Sequence, residues 1–375
     1  GGGGQGTGGS TSTSGAVFEV GPAMLEPRMN HVTIQLDGGK TLLLGGHTTN
    51  FVSSSSGELY DPVSNSLTYL SMQSPRDSST VQKLADGRYL IAGGAYDSGV
   101  APGYRTAEIF NPESYSFLAT GNMVRARMQA DAEPLPDGRV LLVGAWYSPD
   151  SATYGEIYDP IAGTFSATGA VNTVRASPVL LPTSDGRVVV LGGTDIYGDN
   201  FVDQVEVYNP NTNSFTVLRD KVMPSDPGLC VTSRGRERAD EQRLADGRYL
   251  LIARNAAGTA TAVVAFNPET LSVERLIEFN MVGGPLLFNS SRQLVYIPYY
   301  PAEGELGVAR FNALDRSMEF FAVANFHVSY YPGYTAAAFV DSTRIWFSGG
   351  FSCSDGMTNF CPVSNTFFVR VPVMQ

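Results

Sequence analysis

Hydrophobic and polar residues along the chain follow a pattern that recurs roughly every 50 residues. Each repeat carries a short apolar run after an Asp-Gly turn, and the run ends in small residues. Asp-Gly between apolar runs predicts a β-hairpin, because glycine adopts positive φ without steric cost. The apolar run itself predicts a strand buried on both faces. The runs are LDGGKTLLLGG (36–46), LADGRYLIAGG (84–94), LPDGRVLLVGA (135–145), SDGRVVVLGG (184–193) and, without the glycines, LADGRYLLIAR (244–254).

A second signature follows each run and predicts two further strands. It reads GELYDP, AEIFNP, GEIYDP, VEVYNP and VVAFNP, and an apolar residue stands seven positions after the aromatic one. The alternating Glu-Ile-Tyr type segment predicts a third strand, Asp-Pro or Asn-Pro predicts a turn, and the later apolar residue marks a fourth strand. Four strands per repeat predict a β-propeller, whose blades stack to bury faces that no blade buries alone.

Arginine and glutamate recur in register with these signatures. The arginines are Arg28, Arg76, Arg127, Arg175 and Arg236, and the glutamates are Glu58, Glu108, Glu156 and Glu206. We interpret them as structural ion pairs, since a paired charge tolerates burial. The alternative is a ring of arginines that binds an anion.

The repeat resembles the kelch repeat in its double glycine, its aromatic-Asp-Pro turn and its later aromatic residue. The sequence DGRVLLVG is similar to the corresponding segment of bacterial kelch proteins and of the galactose-oxidase-like propeller. The resemblance implies an all-β, seven-bladed kelch-type propeller over residues 16–375, with six blades as the alternative. Blades six and seven, at about 284–323 and from about 334, carry weak motifs. We expect the N-terminal strand at 17–20 to complete the last blade and close the ring.

Composition excludes several partners. The net charge is −11 at pH 7 and the pI is about 4.8, so binding to the phosphate backbone of nucleic acid is not expected. An anionic membrane surface is disfavoured for the same reason. No apolar run reaches the roughly 20 residues that a transmembrane helix needs.

The first 15 residues, GGGGQGTGGSTSTSG, form a Gly/Ser-rich leader that predicts a flexible segment without a core. Such leaders are typical of exported bacterial proteins after a removed signal or beside a lipid anchor, and we expect an extracellular, cell-surface or periplasmic location. The alternative is an artificial terminus. Cys353 and Cys361 lie eight residues apart in a polar loop and predict a local disulfide of an oxidising compartment.

Aromatic residues are frequent in the loops after the second strands and between repeats. Propeller strand order places these loops on one face, and binding residues concentrate on loops held by a rigid scaffold. The predicted ligand-binding residues are Tyr96, Tyr104, Trp146, Tyr147, Tyr197, Phe201, Tyr299, Tyr300, Tyr330 and Tyr331.

We predict no cofactor. Asp195, Asp199 and Asp203 are spaced by four in one loop, and calcium at these carboxylates is the alternative. The resemblance to galactose oxidase implies copper oxidases as relatives, and their copper site consists of two tyrosines, two histidines and a Tyr-Cys cross-link. This chain has three histidines and no Tyr-His tandem, so copper is not expected.

These observations favour an exported propeller that binds or scaffolds a protein or glycan partner, alone or within a surface assembly. A carbohydrate- or alcohol-active enzyme of galactose-oxidase-like type with a non-standard site is the alternative. An architectural module without a separate ligand is the third hypothesis. Fold by itself does not decide among them, because function resides in sites.

Deleting residues 1–15 should abolish anchoring or assembly and leave the melting temperature of the propeller nearly unchanged, because a polar Gly/Ser segment buries no core. Differential scanning calorimetry of the truncated and complete chains measures this. Collapse of the fold on truncation would contradict the prediction.

Overall fold

A computed structural model of the protein describes residues 15–48, 52–95, 103–223, 229–233, 242–255, 261–279, 286–299, 305–324, 331–341, 343–351 and 366–372. Strands dominate this part of the chain, beginning with β1 (Ala16–Val20). The 1–14 leader segment lies outside the described residues, as do Cys353 and Cys361. No helix in the described ranges is long and apolar enough to cross a bilayer.

Five four-stranded antiparallel sheets, called here blades one to five, are built from consecutive stretches of chain. Blade one contains β2 (Val32–Gln35), β3 (Thr41–Leu44), β4 (Ser56–Asp61) and β5 (Ser66–Ser71). Blade two contains β6 (Thr80–Lys83), β7 (Tyr89–Ala92), β8 (Ala107–Asn111) and β9 (Ser116–Ala119). Blade three contains β10 (Asp131–Pro134), β11 (Val140–Val143), β12 (Tyr154–Asp159) and β13 (Thr164–Ala170). Blade four contains β14 (Val179–Pro182), β15 (Val188–Leu191), β16 (Val205–Asn209) and β17 (Ser214–Arg219). Blade five contains β18 (Leu229–Ser233), β19 (Tyr249–Asn255), β20 (Thr261–Phe266) and β21 (Val273–Phe279).

The remaining strands form one eight-stranded sheet. They are β22 (Leu287–Asn289), β23 (Leu294–Tyr299), β24 (Gly307–Asn312), β25 (Met318–Ala324), β26 (Tyr331–Phe339), β27 (Arg344–Phe351) and β28 (Thr366–Arg370), together with β1. Their order in the sheet is β22-β23-β24-β25-β1-β28-β27-β26. One 3-10 turn at Asp37–Gly39 and one short helix, α1 (Pro149–Ala152), lie between strands.

The prediction of seven blades, and the alternative of six, are wrong. The ring has five blades, and the strands expected to form two further blades are joined in the eight-stranded sheet. The junction is β1, which pairs in parallel with β25, Ala16 opposite Val323. β1 also pairs antiparallel with β28, Val17 opposite Arg370. Because both edges of β1 carry a hydrogen-bonded neighbour, the sheet is continuous.

The second strands of the first four blades are completely buried, as the apolar runs predict. Every residue of β3, β7, β11 and β15 is buried. The outer strand β13 instead alternates between exposed and partly buried positions. The blades are therefore covered on both faces near the axis and partly solvated at the rim.

Hydrophobic clusters fill the junctions between neighbouring sheets. Leu90 of β7 and Leu142 of β11 belong to one cluster, which joins blades two and three. The ring closes where Tyr60 of blade one stacks on Trp346 of the eight-stranded sheet, with ring centroids 4.4 Å apart. Burial of these apolar faces is the main stabilising contribution, and it requires neighbours on both sides of each blade.

An arginine at the start of blades two, three and four connects that blade to the preceding one through a main-chain hydrogen bond, and Arg127 illustrates how. Its main-chain oxygen accepts a hydrogen bond from the amide of Gly94 in blade two, at 3.0 Å. Its guanidinium donates to the oxygen of Gly144 at 3.1 Å and to Glu156 at 2.8 Å, both in blade three. One residue thus holds two blades through its main chain and its side chain.

The same ion pair occurs four times, with N···O distances of 2.6–2.9 Å and both side chains buried. The structural interpretation is confirmed for these four pairs, and the anion-ring alternative is wrong for them; Arg236 lies outside the described residues. Burial lowers the pKa of Arg127, and the charge of Glu156 acts in the opposite direction. The pairs are Arg28–Glu58, Arg76–Glu108, Arg127–Glu156 and Arg175–Glu206.

The glycines that end the second strands of blades one and two make room for this connection. A Cβ atom at Gly93 would lie 2.1 Å from the main-chain oxygen of Arg127, and φ at Gly93 is 65°. A side chain here would clash with backbone and strain the residue. The close backbone approach that the sequence predicts is thereby confirmed.

Replacing Glu156 by Gln should lower the free energy of unfolding by about 3–5 kcal/mol, because it leaves the buried Arg127 charge without its counter-ion. Urea denaturation measures the loss. The control is Arg139→Ala, which removes the surface pair of Arg139 with Asp137 and should cost no more than about 1 kcal/mol. Equal effects of the two variants would contradict the role of the buried pair.

Candidate ligand-binding site

Two loops of neighbouring blades meet on the face of the ring where the second strands end. One runs from β11 to β12 in blade three, and the other runs from β15 to β16 in blade four. The amide of Trp146 donates to the oxygen of Met128 at 3.1 Å, which anchors the first loop to its own blade. The amide of Tyr147 donates to the oxygen of Ile196 at 2.7 Å, which joins the two loops.

Three aromatic rings meet at this junction, and we call Trp146, Tyr147 and Tyr197 the aromatic cluster. The centroids of Trp146 and Tyr147 are 4.6 Å apart, and those of Tyr147 and Tyr197 are 5.3 Å apart. Both contacts are edge-to-face, the arrangement that aromatic quadrupoles favour. Tyr147 is 47% exposed and Tyr197 is 51% exposed, so the cluster presents ring surface to solvent.

The backbone of Tyr147 is in the left-handed region, with φ of 55°. A bulky residue rarely adopts this conformation, and it persists only where the surroundings enforce it. The hydrogen bond to Ile196 and the flanking rings are such surroundings. The position of the Tyr147 ring is therefore set by the fold.

A small apolar core lies beneath the cluster. Ala145, Ala152 and Ile196 are buried together, with Val174 packed against them. The helix α1 supplies Ala152, and Ser148 caps it by accepting a hydrogen bond from the amide of Ser151. The loops are thus packed from below and exposed above.

Asp195 organises the loop that carries Tyr197. Its carboxylate accepts hydrogen bonds from the amides of Tyr197, Asp199 and Asn200 and from the Asn200 side chain, at 2.8–3.1 Å. These bonds, led by the one from the Asn200 side chain, lower the pKa of Asp195. A carboxylate that accepts several N–H groups is stabilised in its charged form.

The three candidate calcium ligands make different contacts. Asp195 binds its own loop, while Asp203 accepts a hydrogen bond from the amide of Val222 at 2.9 Å and burial raises its pKa. Asp199 is exposed. Within the described ranges, no group of three or more His, Cys, Asp or Glu residues is arranged to hold a metal ion. Calcium binding by this loop stays a prediction.

Of the other predicted binding residues, Tyr104, Phe201 and Tyr299 have described side chains, and none of these three is an exposed ring of the cluster. Tyr299 is only 8% exposed and packs edge-to-face on Phe320. Tyr104 lies in blade two, beside the guanidinium of Arg76. Phe201 is in the blade-four loop and is partly buried. Tyr331 lies in β26, and Tyr96, Tyr300 and Tyr330 are outside the described residues.

One contact at the edge of the site was not predicted. Arg125 lies over the ring of Tyr154, 4.4 Å from its centroid, and its Nε is 3.7 Å from the carboxylate of Asp150. The chain linker that precedes blade three supplies Arg125, and only the folded ring brings that linker beside α1. Its position two residues before the repeated Arg127 was the available signal.

The two histidines that the structure describes, His31 and His47, contact different partners. His31 contacts the hydroxyl of Ser348 at 3.1 Å, and Nδ1 of His47 contacts the carboxylate of Asp77 at 2.7 Å. Both histidines are buried, and each faces a different sheet. We therefore derive no copper chemistry from them.

Comparison with known proteins agrees with the architecture. A ring of four-stranded antiparallel sheets defines a β-propeller, and residues 175–221 match the family model described as Kelch motif. The matched segment runs from Arg175 through blade four. The chain is a β-propeller that carries a kelch motif at residues 175–221, in agreement with the kelch-type repeat that the sequence predicts.

A solved structure with a similar fold is a "novel fungal alcohol oxidase with catalytic diversity among the AA5 family, in complex with copper". It aligns with a TM-score of 0.66 at 14% identity, over 94% of this chain and 76% of that chain. Identity at this level shows a shared fold only. No curated protein matches the sequence.

Replacing Asp195 by Ala should free the Tyr197 loop and increase acrylamide quenching of Trp146 fluorescence. The chain has two tryptophans, and the other, Trp346, is buried and shielded. Asp199→Ala is the control, because Asp199 contributes only its amide to the loop. Equal quenching in wild type and Asp195→Ala would show that Asp195 does not order the loop.

Protonation of Asp195 at low pH should loosen the same loop and increase the quenching of Trp146 fluorescence. The pKa of Asp195 is lower in the folded state, so its contribution is complete above the ordinary aspartate pKa of about 3.9 and is lost as pH falls through the lowered value. Wild-type quenching should therefore stay constant down to about pH 4 and rise only below it. A rise between pH 6 and 5 would contradict this assignment.

Proposed function

We propose that the protein is an exported binding module that holds a protein or glycan partner on the loop face of blades three and four. The observation that carries the proposal is the aromatic cluster: two half-exposed tyrosines fixed edge-to-face on rigid loops. Aromatic side chains supply large contact area at low cost in conformational entropy. Rigid loops also reduce the entropy lost on binding.

A binding role accounts for the site better than catalysis does. The cluster itself contains no carboxylate or imidazole, and Asp195 of the same loop is engaged with the loop backbone. General acid–base chemistry needs a group whose pKa lies near the working pH. The lowered pKa of Asp195 is far from that condition.

Export is part of the proposal and comes from the leader and the cysteine spacing. Residues 1–15 are Gly/Ser-rich, and Cys353 and Cys361 are close enough in sequence for a local disulfide. A surface location would place the loop face where envelope proteins and glycans are available. The leader would then act as a tether.

Binding to envelope fragments of the source organism tests the proposal. We expect saturable binding that becomes at least about tenfold weaker in Tyr147→Ala and in Tyr197→Ala, since each removes an exposed anchor. The matched control is Tyr69→Ala on β5, because Tyr69 is also half exposed but lies on blade one. Melting temperatures establish that all variants fold.

Unchanged binding in both cluster variants would contradict the proposal. Copper bound to the purified protein, with peroxide formed from an alcohol or sugar, would favour the oxidase alternative instead. Metal analysis and a peroxide assay on the same preparation measure both.

A further inference from the structure

The aromatic cluster is small compared with a protein-binding surface. Its two half-exposed tyrosines together offer on the order of 200 Å² of ring surface. A stable protein interface buries about 800 Å² on each partner. The cluster therefore supplies a few aromatic contacts, and the rest of an interface would have to come from its surroundings.

Those surroundings are polar. The exposed residues that flank the rings in the two loops are Pro149, Asp150, Gly198, Asp199 and Asn200. Asp150, Asp199 and Asn200 supply the carboxylate and amide side chains among them. A pair of rings bordered by short polar side chains fits a ligand with an apolar ring face and hydroxyl groups at its edge.

The charges near the rings favour a neutral ligand over an acidic one. Asp150 and Asp199 are exposed beside the rings, and the whole chain has a net charge of −11. Arg125, the cation at this edge, is already placed between Asp150 and Tyr154. An acidic ligand would meet repulsion here, whereas a neutral ligand would not.

We propose that the aromatic cluster binds a neutral glycan, with hexopyranose rings stacked on Tyr147 and Tyr197 and hydroxyl groups hydrogen-bonded by the polar edge. This proposal rests on the proposed binding function and names the ligand class of that same site. The apolar C–H face of a pyranose matches the size of one aromatic ring, and stacking excludes water from both. The edge-to-face packing and the left-handed backbone of Tyr147 fix the platform before a ligand arrives.

Calorimetry with defined oligosaccharides tests the ligand class. The probes are neutral hexasaccharides of glucose, mannose and galactose in α and β linkage, with hexagalacturonate as the anionic comparison. We expect at least one neutral chain to bind wild type and Tyr69→Ala alike. Tyr147→Ala and Tyr197→Ala should each weaken that binding at least about tenfold, and hexagalacturonate should bind more weakly than its neutral counterpart.

Tryptophan fluorescence provides a site-specific readout of the same titration. Trp146 touches the ring of Tyr147, whereas Trp346 is buried at the junction with blade one. A ligand on the cluster should change the emission of wild type and leave that of Trp146→Phe unchanged. Calorimetric binding without this change would place the glycan elsewhere and overturn the proposal.

Treatment of the envelope fragments separates this proposal from the broader one. Periodate, which cleaves sugar diols, should abolish binding, and protease should not. Binding that depends on the cluster but is lost with protease and resists periodate would overturn the glycan assignment and keep the binding function. Binding that is unchanged in the cluster variants would overturn both the binding function and the glycan assignment. Failure of every neutral oligosaccharide to bind would overturn the glycan assignment alone.

Discussion

The junctions between the first four blades depend on one interaction, the buried arginine that joins blades two, three and four each to the blade before it. Arg127 has its main chain hydrogen-bonded to blade two and its guanidinium bonded to Gly144 and Glu156 of blade three. An unpaired charge at this depth would be costly, so the arginine, glutamate and glycine function as one unit. The glycine is required because a side chain at Gly93 would collide with the arginine backbone.

The binding face follows from that rigidity. The glycine pairs end the second strands close to the arginine linkers, and the loops that continue from them leave the ring on the same face. In blades three and four these loops are long enough to touch, and the hydrogen bond from Tyr147 to Ile196 couples them. Asp195 adds local order without help from the rest of the ring, since its partners all lie within five residues. The positions of the aromatic rings thus depend both on the packing of blades three and four and on the local hydrogen bonds of Asp195.

The repeat predicted much of the fold because the same local chemistry occurs in each unit. Asp-Gly turns, fully buried second strands and the Arg–Glu pairs were all readable from spacing, since each depends on residues within one unit or its neighbour. The blade count was not readable. Whether Ala16–Val20 forms one edge of a blade or joins two sets of strands depends on which backbone edges meet across more than 300 residues, as in the pairing of Ala16 with Val323.

The candidate site divides in the same way. The sequence by itself determined that Trp146, Tyr147 and Tyr197 lie in loops after second strands and that the chain is acidic, because residue type and strand order suffice for both. It wrongly placed Tyr299 and Tyr331 in loops, since both lie in strands. Only the tertiary structure decided which rings share a surface: Trp146, Tyr147 and Tyr197 meet, whereas Tyr299 is buried against Phe320. The physical reason is that ring contact requires two loops from different blades to approach within a few ångströms. That distance is set by the packing between blades, to which residues far apart in the sequence contribute.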